Sequence, residues 1–247
     1  MNRRMFLIGA GATALAPGRA VAQDQASQAL DARIADVERA LKAQRAEGKT
    51  PSCKWIAEQL QVGLTARDQR IAAFKIVQGV PYKLTAWTGN PDSLFAIDRG
   101  DCRHKSAALL QLMRAWKIDA RPVQVPFDWA DLPIPKSVLQ PLAETRGLHD
   151  TVEVSVDGKM ILVDATWDLV LGNAGFPVLA NWNGVEPTPA ITPRAKVIIR
   201  QGDIKAGTDL YAYFGFRWPE RKRTIAFNRA FNAWTDELRA RENSAKG

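Results

Sequence analysis

The sequence predicts an α+β protein in which a run of helices is followed by an antiparallel sheet. Apolar residues recur at helical spacing in the first part of the chain, as at Leu30, Ile34 and Leu41. Beyond residue 118 short alternating runs take over, and the Asp157-Gly158 pair between two of them is a strong hairpin signal. With 247 residues, 46% of them hydrophobic, the chain can bury one sizeable core or a core plus a small appendage. Helices first and strands afterwards indicate the α+β class.

The elements can be assigned in chain order. Helical spacing runs from residue 23 to about 64, with a polar break at 42–49, and a further helix is predicted from Thr65 to about Gly79. A loop at 88–100 precedes a helix over 102–116. A strand at 120–125, a proline-containing excursion at 126–147 and a hairpin over 151–164 come next. After a Pro/Gly-rich stretch at 170–208, a C-terminal amphipathic helix is predicted on the apolar positions Ile225, Phe227, Phe231, Trp234 and Leu238.

The first 22 residues are typical of a secretory signal. Arg3 and Arg4 precede a short apolar stretch and a small-residue site ending at Ala22, and the arginine pair resembles a twin-arginine signal. The apolar stretch is too short to span a bilayer stably. A periplasmic or secreted protein is therefore expected, without a stable membrane span after signal removal.

Charge argues against a nucleic-acid partner. Removing residues 1–22 takes away Arg3, Arg4 and Arg19 and no acidic residue, so the formal charge falls from +8 to +5. The remaining basic residues are spread out, apart from a run at 221–223, as on an ordinary solvated surface. The mature chain is divided into an N-terminal helical region (23–66), a central domain (67–210) and a C-terminal helical tail (211–247).

The chain has two cysteines, Cys53 and Cys102. In an oxidising compartment the ordinary expectation for two cysteines is a disulfide. Cys102, however, opens a predicted helix directly after Asp101, which can cap it, and the helix dipole at this position favours a thiolate. Lys105 is predicted as a cation on the same side of the helix, and neighbouring N–H groups as part of an oxyanion hole. From these residues alone, disulfide and nucleophile stay equally open.

The two histidines have different predicted positions. His104 follows Cys102 by two residues, which turns its side chain to the opposite side of the helix by about 200°, so a surface or half-buried position is expected. A two-residue turn at 157–158 pairs residues whose numbers sum to 315, which makes His149 and Asp164 diagonal neighbours on one face of the hairpin. A carboxylate beside histidine holds the imidazole in one tautomer and stabilises its charged form.

Four blocks together resemble the transglutaminase-like superfamily of papain-related enzymes. They read GDCRHKSAALL at 100–110, IDAR at 118–121, LHDTVEV at 148–154 and VDATWD at 163–168, within about residues 70–190. The resemblance implies a papain/transglutaminase-like core in which Cys102 is the nucleophile, His149 the base and Asp164 its orienting acid. Asp150 and Thr151 depart from the aromatic or glycine that many members carry after the histidine.

The implied activity is thiol-dependent cleavage or transfer of an amide or peptide bond through a thioester, as in a cysteine protease, amidase or transglutaminase. The expected partner is a peptide or protein amide substrate. The alternative is an inactive periplasmic binding or scaffold protein with a Cys53–Cys102 disulfide. Tyr82 and Trp87 precede the cysteine, where aromatic residues line the oxyanion side or the substrate site, although core packing is the commoner role.

No cofactor and no metal are expected. The spacing of the available ligands matches no zinc pattern, and no acidic cluster of the calcium-dependent crosslinking enzymes is present in the sequence. The ligands considered are Cys53, Cys102, His104 and His149.

Overall fold

The computed structural model describes residues 17–61 and 63–246. Residues 1–16 of the predicted signal lie outside the described residues, and residues 17–22 open the first helix. The helices in the described part are α1 (Pro17–Ala46), α2 (Cys53–Gln61), α3 (Ala66–Gly79), α4 (Ser93–Ile97), α5 (Cys102–Ala115), α6 (Lys136–Leu139), α7 (Leu169–Asn173), α8 (Leu210–Tyr213) and α9 (Arg221–Lys246). The strands are β1 (Ala120–Asp128), β2 (Arg146–Val156) and β3 (Lys159–Val163).

The strands form an antiparallel sheet in the order β1-β2-β3, counted within the described residues. The β2–β3 hairpin pairs Val152 with Val163 and Val156 with Lys159, which is the predicted register. Asp157 and Gly158 both have positive φ angles (51° and 79°), as a type I′ turn requires. Helices packed with a small antiparallel sheet confirm the α+β prediction.

Helix α5 is the central element of the larger core. It packs on β1 and β2 and against α2, α3 and α4, so it has neighbours on most of its sides. Leu109, Leu112 and Met113 are fully buried there, as predicted from their spacing. The start of α3 carries a capping box in which the Thr65 and Asp68 side chains and N–H groups bond reciprocally. The cap fixes where α3 begins, and α3 packs against α5.

A second hydrophobic cluster joins the C-terminal helix to the other end of the sheet. Phe227 and Phe231 of α9 are buried, and Trp234 and Leu238 pack against them. Ile225 is 42% exposed, so its predicted core position is wrong. The buried apolar face of α9 is therefore narrower than the sequence pattern predicted.

Several local predictions differ from the structure. Helix α1 continues to Ala46 through most of the predicted polar break, and the predicted loop at 88–100 contains α4. The excursion at 126–147 holds a 3₁₀ turn at Trp129–Asp131 and α6, and β1 and β2 extend into it from either side. The predicted domain boundaries at 66/67 and 210/211 stay predictions. Among the described helices, even the 30-residue α1 lacks the apolar character that a bilayer crossing needs.

Candidate active site

Cys102 is the first residue of α5 and is partly exposed. The Asp101 side chain accepts hydrogen bonds from the N–H groups of Arg103 (3.0 Å) and His104 (3.4 Å), so the predicted cap is confirmed. These two N–H groups are therefore occupied, and the N–H of Cys102 itself is the one at the helix start that Asp101 does not use. Cys102 thus lies at the positive end of the α5 dipole.

The backbone before Cys102 packs closely against its neighbours at Gly100. A Cβ atom on this residue would lie 2.5 Å from Cβ of His104 and 2.8 Å from Leu94 Cδ1, closer than real Cβ contacts. Gly100 also bridges to Tyr82: its N–H donates to Pro81 O (3.2 Å), and its carbonyl accepts from the N–H of Lys83 (3.0 Å). Glycine at this position lets the segment before α5 pack directly on its first turn.

His149 lies on β2 and Asp164 directly follows β3. The ladder between the two strands ends at Val152 and Val163, and beyond it His149 Nε2 lies 2.7 Å from Asp164 Oδ2. Both side chains are buried, with exposed fractions of 1% and 5%. Asp164 is held in turn, since its Oδ1 accepts from the N–H of Thr166 (3.0 Å). The structure thus brings the predicted histidine and acid into direct contact.

The electrostatics of this pair favour an imidazolium. Burial opposes charge on His149, but Asp164 and a hydrogen-bonding interaction with Cys102 outweigh it and raise the pKa of His149 to about 10. Burial also opposes charge on Asp164, yet the His149 partner holds the pKa of that carboxyl below its usual value. Since Nε2 bonds to Asp164, Nδ1 is the ring nitrogen that remains for an interaction with Cys102.

Cys102 and His149 line the same cavity, of about 520 Å³. The apolar part of its wall combines aliphatic side chains with the aromatic residues Phe127, Trp129, Tyr211, Trp218 and Phe227. Two ion pairs lie in the wall, Glu144–Arg146 (2.6 Å) and Asp101–Arg103, and Asp150 and Asp209 add two further carboxylates. The wall therefore offers apolar surface for a bulky group and carries more carboxylates than guanidinium groups.

The segment 208–219 forms one side of this cavity and was not predicted as part of the site. Tyr211 and Trp218 stack with their ring centroids 4.4 Å apart, and Trp218 Nε1 donates to Asp209 Oδ2 (2.8 Å). Trp218 is nevertheless 66% exposed. Arg146 anchors the segment through Gly215 O (3.2 Å) and the Phe216 ring. The dense aromatic composition of 211–218 was the sequence signal that could have identified it.

His104 does not lie at the surface, so its predicted position is wrong. It is fully buried, with Nδ1 2.8 Å from Asp101 Oδ1 and the Trp87 ring edge-on at 4.8 Å. Its Nε2 has no hydrogen-bond partner within the described residues. The helix rotation correctly directs it away from the cavity that Cys102 lines, but α5 has packed neighbours on that side too.

Lys105 is also buried and does not act as the predicted cation beside the thiol. Its Nζ donates to the carbonyls of Gln78 (3.2 Å) and Ala165 (3.5 Å). Burial lowers the pKa of Lys105 to about 7, against the opposing influence of Asp168 and Asp164. Lys105 therefore links α5 by hydrogen bonds to the end of α3 and to Ala165, the residue after Asp164.

Both cysteines are free thiols. Cys53 is buried in the larger core at the start of α2, where its N–H donates to Asp92 Oδ1 (2.7 Å), and burial raises the pKa of its thiol. It is absent from the cavity wall that Cys102 lines. The structure therefore lacks the disulfide that the alternative interpretation requires. In the described part of the chain, no cluster of three or more His, Cys, Asp or Glu side chains could hold a metal ion.

Comparison with known proteins gives one distant likeness. No protein-family model and no curated protein matches the sequence. The crystal structure of a candidate cysteine protease from Cytophaga hutchinsonii is similar to part of the chain, with a TM-score of 0.32 and 19% identity. The similar region covers 47% of this chain and 39% of the other, so this chain spans about two fifths of that protein's length. A likeness this distant carries no chemistry across, and the function is argued from the residues of this chain.

Proposed function

We propose that the protein is a thiol-dependent amide or peptide hydrolase or acyltransferase of the transglutaminase-like, papain-related class, with Cys102, His149 and Asp164 as its triad. One observation carries the proposal: His149 bonds to Asp164 through Nε2 at 2.7 Å, and His149 and Cys102 line one cavity. Nucleophile, base and orienting acid are the three groups that covalent acyl transfer requires.

In the proposed reaction, the Cys102 thiolate attacks the carbonyl carbon of an amide, and an S–C bond forms as the carbonyl oxygen becomes an oxyanion. The intermediate collapses as the C–N bond breaks, and the imidazolium of His149 gives its proton to the departing amine. Neutral His149 then takes a proton from water as the water oxygen attacks the thioester carbon. The C–S bond breaks, the carboxylic acid leaves, and the Cys102 thiolate and the His149 imidazolium are restored. An amine in place of water gives transfer instead of hydrolysis.

The high pKa of His149 supports this order of events. Because the pKa of His149 is about 10, its ring is an imidazolium at neutral pH. A proton is then already on the ring that must donate it to the leaving amine. The apolar side chains of the cavity wall support a substrate with a bulky apolar group beside the scissile bond.

The test is the reactivity of Cys102 toward iodoacetamide near pH 7, with labelled sites located by mass spectrometry. We expect Cys102 to react at least about tenfold faster than free cysteine at this pH, because a thiolate and not a thiol is the nucleophile. The His149→Ala variant should lose this advantage. Cys53 is the internal control, since it is a buried thiol of the same chain and should stay unlabelled until the protein unfolds.

Two outcomes would contradict the proposal. One is a Cys102 that reacts no faster than an ordinary thiol in the folded protein. The other is a Cys53–Cys102 bridge in protein isolated without reductant, which would favour the inactive scaffold.

A further inference from the structure

We infer that Tyr211 and Trp218 form a specificity subsite of the Cys102 cavity, in which the Trp218 indole binds a large apolar side chain of the substrate. An aromatic or branched aliphatic side chain next to the scissile amide is the class that fits. The inference rests on the proposed function and names the substrate class of that same site.

Trp218 is exposed to solvent and yet held in one orientation. It is 66% exposed, although its ring stacks on Tyr211 with the centroids 4.4 Å and the planes 21° apart. Its Nε1 donates to Asp209 Oδ2 (2.8 Å), which fixes the direction of the ring. Tyr211 covers one face of the indole, and the residue lines the cavity. An apolar surface that is fixed before binding loses little conformational freedom when a ligand covers it.

The subsite lies beside the strand that carries His149. A Cβ atom on Gly147 would lie 3.8 Å from the Tyr211 hydroxyl, and Gly147 precedes His149 by two residues on β2. Residues two apart on a strand face the same side and are separated by roughly 7 Å. The missing side chain at Gly147 therefore gives Tyr211 its room, and the subsite begins about one large side chain away from the imidazole.

The loop that joins the two rings is anchored to the same strand. Arg146, the first residue of β2, donates through Nη2 to Gly215 O (3.2 Å), and its guanidinium carbon lies 5.0 Å from the centre of the Phe216 ring. Glu144 in turn pairs with Arg146 at 2.6 Å. Gly215 and Phe216 lie between Tyr211 and Trp218 in the chain, so this anchor positions the subsite against the sheet.

The carboxylates of the cavity wall favour an apolar ligand group over a cationic one, because each already has a partner in the protein. The four pairs are Asp101–Arg103, Glu144–Arg146, Asp150–Gln124 (2.9 Å) and Asp209–Trp218. The uncovered part of the subsite is the indole surface, and burial of apolar area is what that surface gains from a ligand.

Three p-nitrophenyl esters test the inference, those of N-acetylphenylalanine, N-acetylglycine and N-acetyllysine. The Cys102 thiolate attacks the ester carbonyl, p-nitrophenolate leaves, and water then releases the acid from the thioester. We would measure kcat/KM for each ester, after subtraction of the rate of the Cys102→Ala variant. The rate of iodoacetamide alkylation at Cys102 is measured alongside.

We expect the native chain to prefer the phenylalanine ester to the glycine ester at least about tenfold, since even one methylene in an apolar pocket is worth about 10–200-fold. Trp218→Ala should reduce this ratio at least about fivefold, mainly through the phenylalanine ester, and Trp218→Phe should recover most of it. Tyr213→Ala is the matched control: this tyrosine of the same segment is 61% exposed but lies outside the cavity wall, so the ratio should equal that of the native chain.

The outcomes separate this inference from the proposed function. A ratio that Trp218→Ala leaves unchanged overturns the role of Trp218. An equal fall in the rates of both esters and of alkylation also overturns it, because a residue that only stabilises the fold acts on all three reactions. A native chain that prefers the lysine ester, or prefers none, overturns the substrate class. Alkylation no faster than that of free cysteine in the native chain rejects the proposed function, and the subsite with it.

Discussion

The two histidines are both buried, and what surrounds their rings distinguishes them. His149 has a carboxylate on one nitrogen and the cavity of Cys102 on its other side. His104 has a carboxylate on Nδ1, but its Nε2 meets no partner within the described residues, and Trp87 covers the ring edge. Burial and a nearby acid are therefore common to both, and of the two only His149 lines the cavity of Cys102.

Replacing Asp164 with Asn should lower the pKa of His149. Burial then acts without the anion that opposes it, so the ring loses its proton nearer neutral pH instead of near pH 10. Alkylation of Cys102 at pH 7–9 should slow in parallel, by about tenfold or more, because an imidazolium no longer stabilises the thiolate. The pH dependence of the His149 ring resonances and of the alkylation rate measures both effects.

The same variant makes a signed stability prediction. A folded pKa raised from 6.5 to about 10 contributes stability that is complete below pH 6.5 and is lost as pH rises toward 10. The depressed pKa of Asp164 contributes stability that is lost as pH falls below its usual 3.8. The free energy of unfolding of the native chain should therefore exceed that of the Asp164→Asn variant most between about pH 4 and 6.5. Asp157→Asn, at the exposed hairpin turn, is the matched control; a gap independent of pH would contradict the pairing.

At the residue scale, the sequence located His149 and Asp164 because a two-residue turn leaves one register. It did not locate the surroundings of His104 and Lys105, since burial there depends on elements distant in the chain. Lys105 reaches carbonyls of Gln78 and Ala165, which lie in α3 and after β3. Helical spacing gives the direction of a side chain, whereas its environment depends on which elements pack against that side.

At the element scale, the start of α5 joins stability to chemistry. Asp101 caps the helix, bonds to His104 and pairs with Arg103, and its carboxyl is 3% exposed. Its pKa lies below the usual value because these partners outweigh burial. Asp101 thus caps α5 and fixes the first turn, on which the Cys102 sulfur lies.

Asp101→Ala should destabilise the fold by about 2 kcal/mol, combining a lost cap with a buried imidazole nitrogen left without its partner. Alkylation of Cys102 should also slow, because the first turn loosens. Asp101→Asn keeps an oxygen for the two N–H groups and should cost less. Denaturant unfolding and iodoacetamide rates measure the two effects.

Thr65→Ala serves as the comparison, since it removes the cap of α3 and should cost about 1 kcal/mol. It should leave the reactivity of Cys102 unchanged. If both cap variants slowed alkylation equally, general loosening of the protein would explain the effect and the special position of Asp101 would be disproved.

The longer elements were predictable, and the short ones were not. Helices α3 and α5 and the hairpin carry caps, turn residues and several repeats of one period, which reinforce each other. Helices α4, α6, α7 and α8 have four or five residues, too few for a period to be recognised. Their positions are determined by packing, so no helical period located the cavity wall at 208–219, and only its aromatic composition indicated it.

At the scale of the whole molecule, two hydrophobic clusters meet on either side of the site. The larger one unites α1, α2, α3 and α5 with one face of the hairpin, and the smaller one packs α9 against Tyr82 and Trp167. Cys102 opens a helix of the first, and Phe127 and Phe227 of the second lie in the wall of its cavity. The site therefore depends on both clusters being formed together.

Export remains a prediction for the whole chain. In bacterial cells we expect the protein in the periplasmic fraction with a new N-terminus at Gln23, because residues 1–22 have the order of a cleavable signal. Replacing both Arg3 and Arg4 with Lys should retain the precursor inside if the twin-arginine route is used. N-terminal peptide mapping of cell fractions is the measurement. Processing that ignores the arginine pair would assign the general route, and an uncleaved cytoplasmic chain would contradict export.

Arg239 lies 157 positions after Tyr82 in the chain, and its Nη2 donates a hydrogen bond to the Tyr82 carbonyl (3.1 Å). A ribosome makes the tyrosine long before it makes the arginine, so this contact forms only after nearly the whole chain has been translated. A chain in the middle of synthesis can thus have its sulfur, imidazole and carboxylate translated while the segment that pairs with Gly100 still lacks this support. Under the proposed function, catalytic activity is then acquired only after the C-terminal helix has been made.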